Sequence, residues 1–207
     1  MEKVLDIYKR PYDPSHPVIN MDESPVQLIG EIRSELPMEK GKDRVVDSEY
    51  FRNGVCEIFM AVEALAGNRI VKVTEKRTKK DWALFLKDIA QAYQHVQKIT
   101  LIMDNLNTHF TGSIYEVFKP EEAKSLADRF NFVYTPKHGS WLNIAEIELN
   151  VLKGQCLNRR IPEIDIVKSE VDAWQTSRNN KTAKINWKFT NEKARIKLKR
   201  LYPSIEY

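Results

Sequence analysis

Three carboxylates stand where their types and positions suit joint chemistry. Asp22 closes the β-prone run PVINMDES, Asp104 closes KITLIMDNLNTHF, and a glutamate opens a helix in TPKHGSWLNIAEIELNVL. An open α/β sheet keeps its ligand crevice at the carboxyl ends of its strands, so an acid ending a strand is presented there. Three such acids from distant parts of a chain supply the oxygen ligands that hard divalent cations take. That cluster is what metal-assisted phosphoryl transfer requires. Cys56 and Cys156 are too few and too isolated for a zinc site or a disulfide framework.

The helix offers two glutamates, Glu146 and Glu148. At about 100° per residue they point roughly 200° apart, so only one can face the aspartates. The apolar stripe of Leu142, Ala145, Leu149 and Leu152 runs between them and does not choose.

The elements that must position these acids follow from the hydrophobic pattern. Residues 1–16 hold two prolines and no sustained period and read as a lead-in arm. Val18 to Met21 form a short strand, and Val26 to Gly30 a second one after Pro25. The polar stretch from Glu31 to Asn53 reads as a long loop or weak hairpin. In GVCEIFMAVEALAGNRIVKVTEKRT, Gly67-Asn68 separates two β-rich runs, a hairpin signal. Thr78 to Asp81 resembles a capping box. Behind it Trp82, Phe85, Leu86, Ile89, Tyr93 and Val96 recur at helical spacing. Ile99 to Met103 has the pattern of a strand buried on both faces. Helical segments fill 112–130 with a fresh start at Pro120, and Phe132 to Tyr134 is a last strand. Two helices follow, one on Leu142, Ala145, Leu149, Leu152 and Cys156, the other on Ile164, Val167, Val171 and Trp174. An extended piece over Ile185, Trp187 and Phe189 leads to a basic helix from Asn191 to Tyr202. The order indicates a mixed α/β sheet flanked by helices.

At 207 residues the chain is most simply one domain with a large core. No apolar run reaches the roughly 20 residues that span a bilayer, and no signal peptide opens the chain, so the expectation is a cytoplasmic protein without a membrane partner. The net charge of +4 hides an asymmetry. Residues 151–207 carry 13 Lys or Arg against 6 Asp or Glu, whereas residues 1–150 carry 20 against 23. An acidic metal-binding part beside a polyanion-binding surface fits this, and so does a solvated lysine-rich helix.

Six segments, in order along nearly the whole chain, resemble the DDE transposases of bacterial insertion sequences, in the insertion-sequence six-thirty branch of the mariner superfamily. They are MDESPVQLIGE, RNGVCEIFMAVEALAG, MDNLNTHF, YTPKHGSWLNIAEIELNVL, CLNRRIP and WKFTNEKARIKLKRLYP. The resemblance implies a ribonuclease-H-like fold with Asp22 as first acid, Asp104 as second and Glu146, through Leu-Asn-x-x-Glu, as third. It implies that these three hold Mg2+ or Mn2+, two ions in all, with Asp22 bridging both. It also implies two reactions, cleavage of DNA at transposon ends and attack of the freed 3′-hydroxyl on target DNA at TA sites, with a homodimer as the active assembly on the bacterial nucleoid. Glu148 is then expected to face solvent or a basic partner such as Lys153 or Lys137. Ser24 departs from the Lys of the family's DEKPVQ motif, and 41 residues separate Asp104 from Glu146. About 20 residues precede Asp22, too few for the family's helix-turn-helix module, so the chain is read as a catalytic half: an excised domain, a split-frame product or a remnant.

The expected domains are the arm at 1–16, a ribonuclease-H-like catalytic domain at 17–180 and a basic tail at 181–207 packed on or beside it. DNA contacts are expected from Asn105, Asn107 and His109 behind the second acid. His109 either orients a phosphate or water or caps the next helix. Lys137 and His138 lie before the catalytic helix, near a backbone phosphate or in a plain loop. Lys193, Lys197, Lys199 and Arg200 of the tail face DNA or solvent. Two other functions remain on the same residues, a catalytically silent DNA-binding or assembly remnant and a ribonuclease-H-like host nuclease.

Overall fold

The computed structural model describes residues 1–33, 40–41, 48–106, 109–137 and 139–202. Its frame is a five-stranded mixed sheet in the order β3-β2-β1-β4-β5. The strands are β1 (Val18–Glu31), β2 (Tyr50–Glu63), β3 (Asn68–Thr74), β4 (Ile99–Met103) and β5 (Phe130–Tyr134). β1, β2 and β3 form an antiparallel meander, while β1, β4 and β5 run parallel. The β2–β3 turn falls at Gly67, whose φ is +79°, and a Cβ there would meet the Thr182 backbone at 2.6 Å. Only glycine suits both demands.

Alternation along the strands sorts the core into two faces. Ile19, Met21, Phe59, Ala61, Leu101 and Met103 point to one face, under α2 (Lys79–Ala92), α3 (Gly112–Tyr115) and α4 (Pro120–Asp128). Cys56, Ile58, Met60, Val62 and Val71 point to the other, under α5 (Ile144–Cys156) and α6 (Ile164–Asn180). α2 begins with the anticipated box: the Thr78 side chain accepts from the Asp81 amide, and the Asp81 carboxylate accepts from the Thr78 amide. Its buried residues are those of the helical stripe.

Four expectations need correction. The two strands read on either side of Pro25 are one, β1, with an irregularity between Gln27 and Ile29. β4 pairs with β1 only over Val18 to Asn20, so beyond that point β1 has a strand neighbour on one side alone, the setting that tolerates a proline. Asp22 therefore lies inside β1 rather than at its end. Residues 1–16 contain a helix, α1 (Glu2–Tyr8), with Val4, Leu5 and Ile7 buried. Seven residues are too few to show a period, and α1 is held by packing on Ile102, Val133, Leu142 and Ala194. The helical segments over 112–130 restart at Pro120 as expected, but β5 starts at Phe130 rather than Phe132. The tail helix α7 (Asn191–Lys197) stops before a 3-10 turn at Lys199–Leu201.

Candidate active site

Asp22 sits on β1 opposite Met60, and hence on the face covered by α5. Asp104 follows Met103, where β4 ends. α5 is brought to this edge by Asn143, its N-cap, which is fully buried. The Asn143 Nδ2 donates to the Met21 carbonyl at 2.6 Å, and its Oδ1 accepts from the Ala145 amide at 3.2 Å. One side chain thus caps α5 and ties its first turn to the residue before Asp22. Glu146 occupies the third helical position, from which a glutamate can fold back onto the N-cap amide. Here that amide is bonded to the Ser140 carbonyl, and the buried Glu146 Oε2 has no hydrogen-bond partner.

Asp22 feels its burial and the acids around it. Burial first, and then the charges of Asp104, Glu23 and Glu146, push the Asp22 carboxyl up to about 7, against the hydrogen bond its Oδ1 accepts from the Glu23 amide at 2.9 Å. Burial is the larger cause, and the neighbouring negative charges add to it.

Glu23 and His109 stand behind this centre, and both are buried. The His109 Nε2 donates to Glu23 Oε1 at 2.6 Å. Its Nδ1 lies 2.7 Å from Asp104 Oδ1 as an ion pair and 3.4 Å from the Asp104 backbone carbonyl. Burial alone would lower the His109 pKa, but Asp104 and Glu23 outweigh it and raise it to about 9. Glu23, Asp104 and His109 each offer a ligand atom within 4.8 Å of the others. The short His109–Glu23 bond already engages two of those atoms, while Asp22, Asp104 and Glu146 carry carboxylate oxygens of the kind a hard divalent ion takes.

The other expected site residues fall in several places. Asn105 and Lys137 are exposed, as are Lys193, Lys197, Lys199 and Arg200, while Asn107 and His138 lie outside the described residues. His109, expected to orient a phosphate or water or to cap the next helix, is 1% exposed and caps no helix, since the residue before α3 is Thr111. Glu148 does not face solvent, Lys153 or Lys137. It is 1% exposed, and its Oε1 accepts from Arg69 Nε at 3.0 Å and from Arg178 Nε at 2.8 Å. Glu23, Asn143 and the two arginines were missed. The strand alternation that places Asp22 over α5 necessarily places Glu23 under α2, and this was the available signal.

The sequence profile of the DDE superfamily endonucleases matches residues 17–168. None of the curated proteins matches the chain. Among solved structures, the Mos1 transposase paired-end complex with left transposon end is similar at 14% identity and a TM-score of 0.60, over 88% of this chain and 54% of that one. The Mos1 mariner paired-end complex with Mn gives 15% and 0.58 over 88% and 54%, and the Mos1 strand transfer complex 14% and 0.58 over 85% and 51%. The fold is that of these ribonuclease-H-like domains, and the chain spans about half the length of the proteins it resembles.

Proposed function

This chain belongs to the DDE superfamily endonucleases, and from that premise we propose that it is the catalytic domain of a DNA transposase. The observation that carries the reading is the open acidic centre: Asp22 raised to about 7 by burial and its acidic neighbours, with a buried Glu146 oxygen left unpartnered. The similar structures are of a transposase in paired-end and strand-transfer complexes, which supports DNA as the substrate.

In this reading Asp22, Asp104 and Glu146 would hold Mg2+ or Mn2+, two ions in all. Bound there, a divalent cation supplies a Lewis acid for the phosphate and eases deprotonation of the attacking oxygen. Asp22 yields its proton as the site loads, which makes loading pH-dependent. Asn143 keeps Glu146 at the β1 edge during both reactions: cleavage by water at an element's ends, then attack of the 3′-hydroxyl on target DNA, with TA as the preferred site. The exposed Lys137, Lys193, Lys197, Lys199 and Arg200 contact phosphates, so binding weakens steeply with salt. Two copies form the active assembly.

Plasmid nicking by the full chain with Mg2+ or Mn2+, followed by joining of a pre-cleaved 3′ end, tests the reading. Both activities are expected. Nicking without joining makes the chain a nuclease, and neither makes it a silent DNA-binding module.

A further inference from the structure

We propose that Glu23 and His109 form a strut that fixes the carboxylate of Asp104 from the far side of the sheet, making both of them positioning residues for the acidic centre. The inference rests on the reading of Asp104 as a cation ligand and adds two residues to the machinery behind it.

Neighbouring strand residues point to opposite faces. Asp22 pairs with Met60 and faces α5, whereas Glu23 pairs with Phe59 and faces the α2 layer. A dipeptide of two acids thus sends one carboxylate to the candidate site and the other beneath it. The second is joined to the site by His109, whose ring spans from Glu23 Oε1 at 2.6 Å to Asp104 Oδ1 at 2.7 Å. Neither Glu23 nor His109 has more than 1% of its side chain exposed. Both are therefore out of reach of a nucleic acid lying on the surface.

The ring has little freedom. It stacks on Trp82, with centroids 5.6 Å apart and planes 24° apart, and Trp82 is fully buried on α2. The backbone of His109 is held on both sides: its amide donates to the Leu106 carbonyl at 2.9 Å, and its carbonyl accepts from the Tyr134 hydroxyl at 3.0 Å. The Asp104 side chain is 27% exposed although its Oδ1 is buried, so its exposure belongs to the rest of the group. One oxygen lies in ion-pair contact with the imidazole, and the exposed remainder of the carboxylate is accessible to a cation. Asp104 has no strand pairing of its own, since β4 ends one residue earlier. Without the strut its carboxylate could turn freely, and ordering it would then oppose cation binding.

Partners that orient a metal ligand in this way commonly change affinity by about 10–100-fold when removed. The test uses the full chain and Mn2+ as the probe, with affinity measured by calorimetry and folding checked by circular dichroism. His109→Gln and Glu23→Ala should each weaken Mn2+ binding by about 10–100-fold while the protein remains folded. Glu23→Gln keeps an acceptor for the ring and should restore most of the affinity. Proton NMR of the metal-free protein gives a second readout. A slowly exchanging ring N–H of His109 should be present in the wild type and in Glu23→Gln and absent in Glu23→Ala. Unchanged Mn2+ affinity in folded His109→Gln and Glu23→Ala overturns the strut. So does a loss in His109→Gln as deep as that of Asp104→Asn, which would make His109 a ligand. If the wild type binds no Mn2+, the cation reading fails, and the ring N–H signals alone decide whether Glu23 holds His109.

Discussion

Glu146 and Glu148 stand two residues apart on α5 and meet opposite surroundings. The carboxylate of Glu148 is closed off: Arg69 reaches it from the start of β3 and Arg178 from α6. Arg69 is itself completed by the carbonyls of Gly67 and Ala183. The carboxylate of Glu146 has a buried oxygen with no partner, and it lies close enough to Asp22 for the two charges to repel. A fold tolerates a buried charge when it surrounds it with opposite charge and hydrogen bonds. Where the same helix leaves a neighbouring carboxylate open beside another acid, there is room for a partner from outside the chain. The two glutamates separate what holds the helix in place from what the helix presents.

Exchanging each glutamate for its amide gives the largest and most opposed effects. Glu146→Gln should abolish strand cleavage while thermal stability stays the same or rises, because one repelling charge has left the centre. Glu148→Gln removes the anion between two arginines, and breaking a buried ion pair costs about 3–5 kcal/mol. Denaturant unfolding should show that loss, with cleavage falling only as far as folded protein is lost. Cleavage surviving in Glu146→Gln, together with undiminished stability in Glu148→Gln, would break the distinction.

The open centre should also be visible in the pH dependence of the metal-free protein. Asp22 keeps its proton up to about 7 when folded, against an ordinary value of 3.8. Between those values the folded state binds more protons than the unfolded one, so stability falls as pH rises through that window. His109, raised from 6.5 to about 9, adds a further decline between those two values. Thermal melts across pH should show both, with Asp22→Asn flattening the lower window and His109→Gln the upper. Mn2+ should oppose the decline near neutral pH, since a ligand bound only by the folded state stabilises it. A flat metal-free profile in the wild type would mean that folding does not hold the proton on Asp22.

The legible parts of this molecule were those written locally. The two-sided apolar run of β4, the capping box and stripe of α2 and the turn at Gly67 each rest on residues a few positions apart. The third acid was assigned through Leu142 and Asn143, which lie in its own turn. The supports were not legible, because they are long-range: Glu23 and His109 are 86 positions apart, and Arg69 and Glu148 are 79. Glu148 misled for a related reason. A charged residue flanking an apolar stripe is assigned to solvent by default, and nothing near it in sequence announces two arginines from elsewhere. Pro25 misled because a proline marks a strand break unless one side of the strand is unpaired, and that depends on where β4 ends.

The smallest effect concerns how α5 is kept in register from the N-terminal side. The buried Tyr8 hydroxyl of α1 lies 2.5 Å from Asn20 Oδ1, on β1 two residues before Asp22, and 2.7 Å from the Leu142 carbonyl, just ahead of α5. Its single proton can serve one acceptor at a time, and burial raises its pKa far above the usual phenol range, so it remains a donor. Tyr8→Phe keeps the ring beside Trp187, 5.1 Å away, and removes only this bridge. The two acceptors lose their donor, which costs about 1–3 kcal/mol. That is less than the loss expected for Glu148→Gln, because no charge is stranded. If α1 is only a lead-in arm, the substitution will not move the unfolding midpoint. If it latches β1 to the start of α5, stability will fall by that amount, and cleavage will fall with it, because Asp22 and Glu146 sit on the two elements that Tyr8 joins.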